Sequence, residues 1–193
     1  ESIKQILPNT FFKCSSLQGT LTIHDSVELI GESAFFMCNG FAGHLILPKN
    51  DHIVIEKLAF YRCEYFSGEL ELPESIEEIS DYSFYHCIGF EGSLVIPDKV
   101  KSIGKYAFSE CSGFKGELKL PKSINYIGEY AFSGCSKFIG SLVIPDGIEK
   151  INKYTFSECY GFSGALKIPD SVEDIEENAF EGCSNFESLT LSS

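Results

Sequence analysis

Tryptophan is absent from this 193-residue chain, methionine occurs once at Met37, and arginine once at Arg62. Such uneven usage is what a few templated positions produce when they are copied many times. Positive charge is scarce too: 15 basic residues against 28 acidic ones leave a net charge of −13. That balance argues against a nucleic-acid partner, which needs a cationic stripe to displace counterions. A bare anionic membrane surface is disfavoured for the same reason. No apolar run is long enough to cross a membrane as a helix, and no signal-peptide pattern starts at Glu1.

Catalytic patterns are missing as well. There is no G-x-S-x-G, H-E-x-x-H or phosphate loop. The histidines, His24, His44, His52 and His86, occupy unrelated positions. Carboxylates crowd the turns but nowhere form the spaced oxygen set, closed by a Glu, of a Ca²⁺ loop. The expectation is a protein with no enzymatic activity, cofactor or metal.

What is present is a repeat. Gly92–Lys115 reads GSLVIPDKVKSIGKYAFSECSGFK, and the following 24 residues, GELKLPKSINYIGEYAFSGCSKFI, copy its apolar positions. Cys14, Cys38, Cys63, Cys87, Cys111, Cys135, Cys159 and Cys183 mark the register, with every gap 24 except one of 25. The extra residue lies within Pro48–Ile55 and is expected in a surface bend. One unit this small cannot bury its own apolar face, so copies must stack into a solenoid. Residues 1–193 are read as a single solenoid: a partial first rung over 1–18, full rungs over 19–187, and the start of an eighth strand over 188–193. Neither end carries a polar cap, so the chain is expected to be a piece of a longer protein.

Within a rung, Leu94-Val95-Ile96 alternates inward, outward, inward and reads as a short strand, ended by Pro97. Asp98, Asp146 and Asp170 suit the turn that follows. Ala107, Phe108 and Cys111 have helical spacing, so a helical or 3₁₀ turn is expected on the far side. The class is therefore an α/β repeat solenoid with one parallel strand per rung, strands about 4.8 Å apart.

Cysteines in a row invite a disulfide reading, but translation argues against it. Neighbouring Cβ atoms about 5 Å apart exceed the roughly 3.5–4.5 Å a disulfide requires. A row cannot form a metal tetrahedron either. Cys38, Cys63, Cys87, Cys111, Cys135 and Cys159 are expected as buried free thiols, beside a phenylalanine row that includes Phe84, Phe108, Phe132 and Phe156. A second row, three residues after each Cys, includes Phe90, Phe114 and Phe138.

The pattern L-x-[IL]-P-x-x-[IV]-x-x-I-x-x-x-A-F-x-x-C-x-x-F resembles the BspA-like leucine-rich repeats of bacterial and protist cell-surface proteins. The resemblance covers the whole chain and implies a right-handed solenoid with a parallel sheet on one face. The chain departs from ordinary leucine-rich repeats where an asparagine should follow the strand. Ser26, Asn50, Ser75, Lys99, Ser123, Gly147 and Ser171 stand there, so no asparagine ladder is expected to bond the turn.

Leucine-rich repeats commonly bind through the outward sheet face. Here that face comprises Thr20 and Thr22, His44 and Ile46, Glu69 and Glu71, Ser93 and Val95, Glu117 and Lys119, Ser141 and Val143, Ala165 and Lys167. Outward valines recur on alternate rungs, about 9.6 Å apart. The resemblance implies a monomeric, secreted or cell-surface module that adheres to host or extracellular-matrix proteins. A structural spacer that displays another domain and binds nothing is the alternative.

Overall fold

A computed structural model describes residues 2–191. The chain winds into a parallel β-solenoid of about eight turns, each about 24 residues long. Most rungs carry two short strands rather than the single one expected, the Gly68 rung having only Glu78–Ile79. In the Gly92 rung they are Leu94–Val95 and Ser102–Ile103. The first pairs with Leu118–Lys119, and the second with both Glu78–Ile79 and Tyr126–Ile127. The second strand is only two residues long, and just one of them, Ile103, is buried. So short a stretch shows little of the apolar alternation that marks a strand.

The expected helical turn does not form; the described residues contain no helix. Over Gly104–Cys111 alternate amides do different things. Ala107, Ser109 and Cys111 donate to the carbonyls three residues back, whereas Tyr106, Phe108 and Glu110 donate to Glu129, Ala131 and Ser133 of the next rung. Tyr106 (φ 56°) and Glu110 (φ 63°) are left-handed, which breaks any helical run and turns every second N–H along the stacking axis. A 3₁₀ turn would keep all those amides within the rung. The same three inter-rung bonds recur between every pair of successive rungs from Asn9 to Glu181.

The strand ladders, in contrast, are interrupted. On the face that carries the outward positions, Leu21–Thr22 pairs with Leu45–Ile46, Leu94–Val95 with Leu118–Lys119, and Leu142–Val143 with Gly164–Ile168. Between the first two pairs lies Glu69–Glu71, which belongs to no strand. The last strand, Phe186–Leu191, pairs with Gly164–Ile168 through a register shift between Gly164 and Ala165. At that shift Glu187 is left without a partner, and from Ala165 onward the offset is 23 residues instead of the 24 between Leu142 and Leu166; Ser192 and Ser193 of the expected eighth strand lie outside the described residues.

Inside, one apolar core runs from Ile23 to Ala179. The Phe108 ring is fully buried and stacks on Phe84 and Phe132 at 5.4 and 5.7 Å between centroids, with Phe114 edge-on at 6.5 Å. Phe90, Phe114 and Phe138 form the second stack at 6.0 and 5.8 Å. Glycine is needed where rungs approach most closely. A Cβ on Gly113 would lie 2.1 Å from the carbonyl oxygen of Ile88 and 2.3 Å from that of Phe90.

Candidate protein-binding face

All eight cysteines are free, those from Cys38 to Cys159 being buried. Each thiol from Cys38 to Cys183 is used as a donor between rungs: Cys111 Sγ lies 3.0 Å from the carbonyl oxygen of Phe84, and Cys135 Sγ 3.1 Å from that of Phe108. A small apolar residue that also donates a weak hydrogen bond suits this place. Burial pushes the Cys111 thiol up to about 12 and the Cys38 and Cys183 thiols to about 11. It raises Cys87, Cys135 and Cys159 well above the ordinary value too. Such thiols carry no thiolate chemistry at neutral pH. No group of three or more His, Cys, Asp or Glu side chains among the described residues is arranged to hold a metal ion.

The missing asparagine ladder is replaced by hydroxyls. Ser26, Ser123 and Ser171 donate to the carbonyls of Ile3, Val100 and Ile148 on the preceding rung at 2.9, 2.6 and 2.9 Å. Asn50, the one true asparagine, bonds back to Asp25 and Val27. At the serine rungs the turn is therefore bonded by a shorter side chain, whereas Lys99 and Gly147 bring no hydroxyl to this position.

On the strand face the structure separates the outward positions into three kinds. Ile46, Val95 and Val143 are about half exposed (45, 52 and 56%) and present apolar surface to solvent. Thr20, Thr22, His44, Glu69, Glu71, Glu117, Lys119 and Lys167 are exposed polar residues. Ser93 and Ser141 serve the scaffold, each hydroxyl accepting the backbone N–H that opens the next rung, Glu117 and Ala165, at 3.2 Å. Ser93 and Ala165 are partly exposed and Ser141 is exposed. The ion pairs of this face, Lys49–Glu71 at 3.2 Å and Lys119–Glu117 at 3.8 Å, are open to solvent and contribute little to stability.

Two features escaped the sequence reading. A groove lies between the Gly43 and Gly68 rungs and is lined by His44, Ile46, Lys49, Asp51, Glu69 and Glu71, among others. Its one sequence signal was the extra residue in Pro48–Ile55. On the turn side Tyr82, Tyr106, Tyr130 and Tyr154 stack at 4.6–4.7 Å, partly exposed. Their equal spacing of 24 residues was there to be read.

The family model for the BspA type leucine rich repeat region matches in six copies, over residues 1–115, 43–163 and 78–193. The chain belongs to this family, whose fold is a general protein-interaction fold and generally non-enzymatic. Among solved structures, it resembles a leucine-rich repeat protein from Bacteroides ovatus, with a TM-score of 0.71 and 26% identity over 86% of this chain and 41% of that one. A leucine rich cell surface protein from Faecalibacterium prausnitzii aligns with a TM-score of 0.63 and 24% identity over 98% of this chain and 59% of that one. The T. pallidum leucine-rich repeat protein aligns with a TM-score of 0.53 and 22% identity over 97% and 66%. The chain thus spans from about two fifths to two thirds of the length of these proteins. No curated protein matches it at a significant level.

Proposed function

We propose that the chain is a non-enzymatic, secreted or cell-surface module that adheres to host or extracellular-matrix proteins through the outward strand face. The observation that carries this reading is the exposure of Ile46, Val95 and Val143 in one column of a face whose inward leucines are buried. Apolar side chains held on a rigid scaffold and ringed by charge match the anatomy of a protein interface. Membership in a protein-interaction family supports the reading, as does the likeness to a structure described as a cell surface protein. The same reading treats residues 1–193 as one monomeric solenoid.

The spacer reading is favoured by one observation: the outward hydroxyls of Ser93 and Ser141 each accept the N–H that opens the next rung and so serve the stack. A panel of purified extracellular-matrix proteins, measured by biolayer interferometry against the native chain and the Val95→Glu/Val143→Glu variant, separates the two. Adhesion through this face predicts that at least one matrix protein binds and that the variant weakens it by about tenfold or more, a loss of at least 1.4 kcal/mol. Equal binding by both proteins moves the site elsewhere, and no binding by either leaves the spacer.

A further inference from the structure

The strand face opens where it departs from its own repeat. The groove between the Gly43 and Gly68 rungs holds about 630 Å³, inside the roughly 300–1,000 Å³ range of ligand sites. It coincides with the 25-residue gap between cysteines; neither Leu45–Ile46 nor Val54–Ile55 pairs with the following rung, a double lapse that also occurs between the Gly116 and Gly140 rungs, so the insertion rather than the lapse sets this junction apart. The turn side stays joined at the same junction: Leu58, Phe60 and Arg62 donate to Asp81, Ser83 and Tyr85 at 3.0, 2.9 and 2.8 Å. At the front the rungs stay joined at two points, Ser67 N–H to the Gly43 carbonyl at 2.9 Å and the Ser75 hydroxyl to the Asn50 carbonyl at 2.6 Å, and strand pairing is lost between them.

Chemistry narrows what this opening takes. Asp51, Glu69, Glu71 and Glu74 line it against a single cation, Lys49, which is paired to Glu71; four negative charges and one positive leave −3 with His44 neutral. Ile46, Pro48 and Pro73 supply an apolar lining between those charges. Backbone is on offer as well. Leu21 and Ile23 donate to His44 and Ile46 of the next rung, but the equivalent N–H groups of Leu45 and Leu47 make no backbone hydrogen bond among the described residues. Unpaired strand backbone, alternating charge and a narrow apolar lining complement an extended chain that presents cationic side chains on one side.

We propose that this groove binds an extended, lysine- or arginine-bearing segment of a protein partner, and that the single-residue insertion in Pro48–Ile55 creates it. The inference rests on the proposed function and names one subsite and the charge of its occupant. The probe is an acetylated, amidated octapeptide alternating lysine and threonine, with a glutamate–threonine octapeptide as control, titrated calorimetrically near physiological ionic strength. The lysine peptide is expected to bind the native chain and the glutamate peptide not to bind. Glu69→Lys/Glu71→Lys should weaken binding by about tenfold or more. Glu173→Lys/Asp174→Lys, which changes net charge equally but far from the groove, should weaken it by less than about twofold because salt screens remote charges. Deletion of Asp51 should abolish binding while circular dichroism stays native. Equal weakening by the two charge pairs would reduce the effect to bulk attraction and overturn the proposal. So would undiminished binding to Glu69→Lys/Glu71→Lys, or no binding of the lysine peptide to the native chain. If the peptide fails while Val95→Glu/Val143→Glu still disrupts matrix binding, the groove assignment falls and the adhesive face stands.

Discussion

The two sides of each rung are held together by opposite means. On the turn side, three backbone hydrogen bonds repeat at every junction, the thiols add a further inter-rung contact, and the phenylalanine stacks fill the space behind. On the strand side, pairing lapses after the Gly43 rung and again between Lys119 and Leu142, and side chains vary from one rung to the next. In this protein the irregular-looking turns are the continuous spine, and the β-face is the adjustable surface. A face relieved of carrying the stack can accept insertions, exposed valines and clustered carboxylates without loss of the fold.

The largest expected difference between the two sides is in alkali. The folded thiols stay protonated above their ordinary value of 9.0, to about 12 for Cys111. Below that ordinary value both folded and unfolded thiols hold their protons, and the contribution is fully present. As pH rises through the window from about 9 to about 12 the unfolded chain ionises first, so stability is lost. Each buried thiol then contributes a slope of about 1.4 kcal/mol per pH unit. Urea denaturation between pH 8 and pH 11 should show a steep fall that Cys111→Ala makes shallower. A flat profile would mean that the thiols are solvated and the spine is not where the structure puts it.

Next in size is aromatic truncation. Phe108→Ala removes a ring stacked on both sides and should cost about 3–5 kcal/mol, whereas Val95→Ala, on the exposed face, should change stability by no more than about 0.5 kcal/mol. Comparable costs at the two positions would erase the distinction between spine and surface. Smallest is Ser123→Ala, which deletes the 2.6 Å bond to the Val100 carbonyl and should cost about 0.5–1.5 kcal/mol in the same assay. A null effect there would show that the serine ladder does not bond the turn.

How much of this was legible beforehand differs between the two sides in the same way. Cysteine gaps were enough for rung length, and the repeated pattern from the strand leucine to the last phenylalanine for the family resemblance, because translation symmetry leaves a periodic trace in the chain. Conformation on the turn side was misread. Helical spacing of Ala107, Phe108 and Cys111 is shared by a string of turns with left-handed residues, and nothing in tyrosine or glutamate announces a positive φ at Tyr106 and Glu110. Serine in place of asparagine looked like a lost ladder because the reach of a hydroxyl to Val100 depends on how close the next rung sits.

Periodicity alone dictated that copies stack and which residues repeat in register. Only the packed structure decided which amides point along the axis, where strand pairing lapses, and that a groove lies between the Gly43 and Gly68 rungs. The reason is physical: register is a property of one chain segment and can be counted, whereas hydrogen-bond partners belong to neighbouring rungs and exist only once the stack has formed.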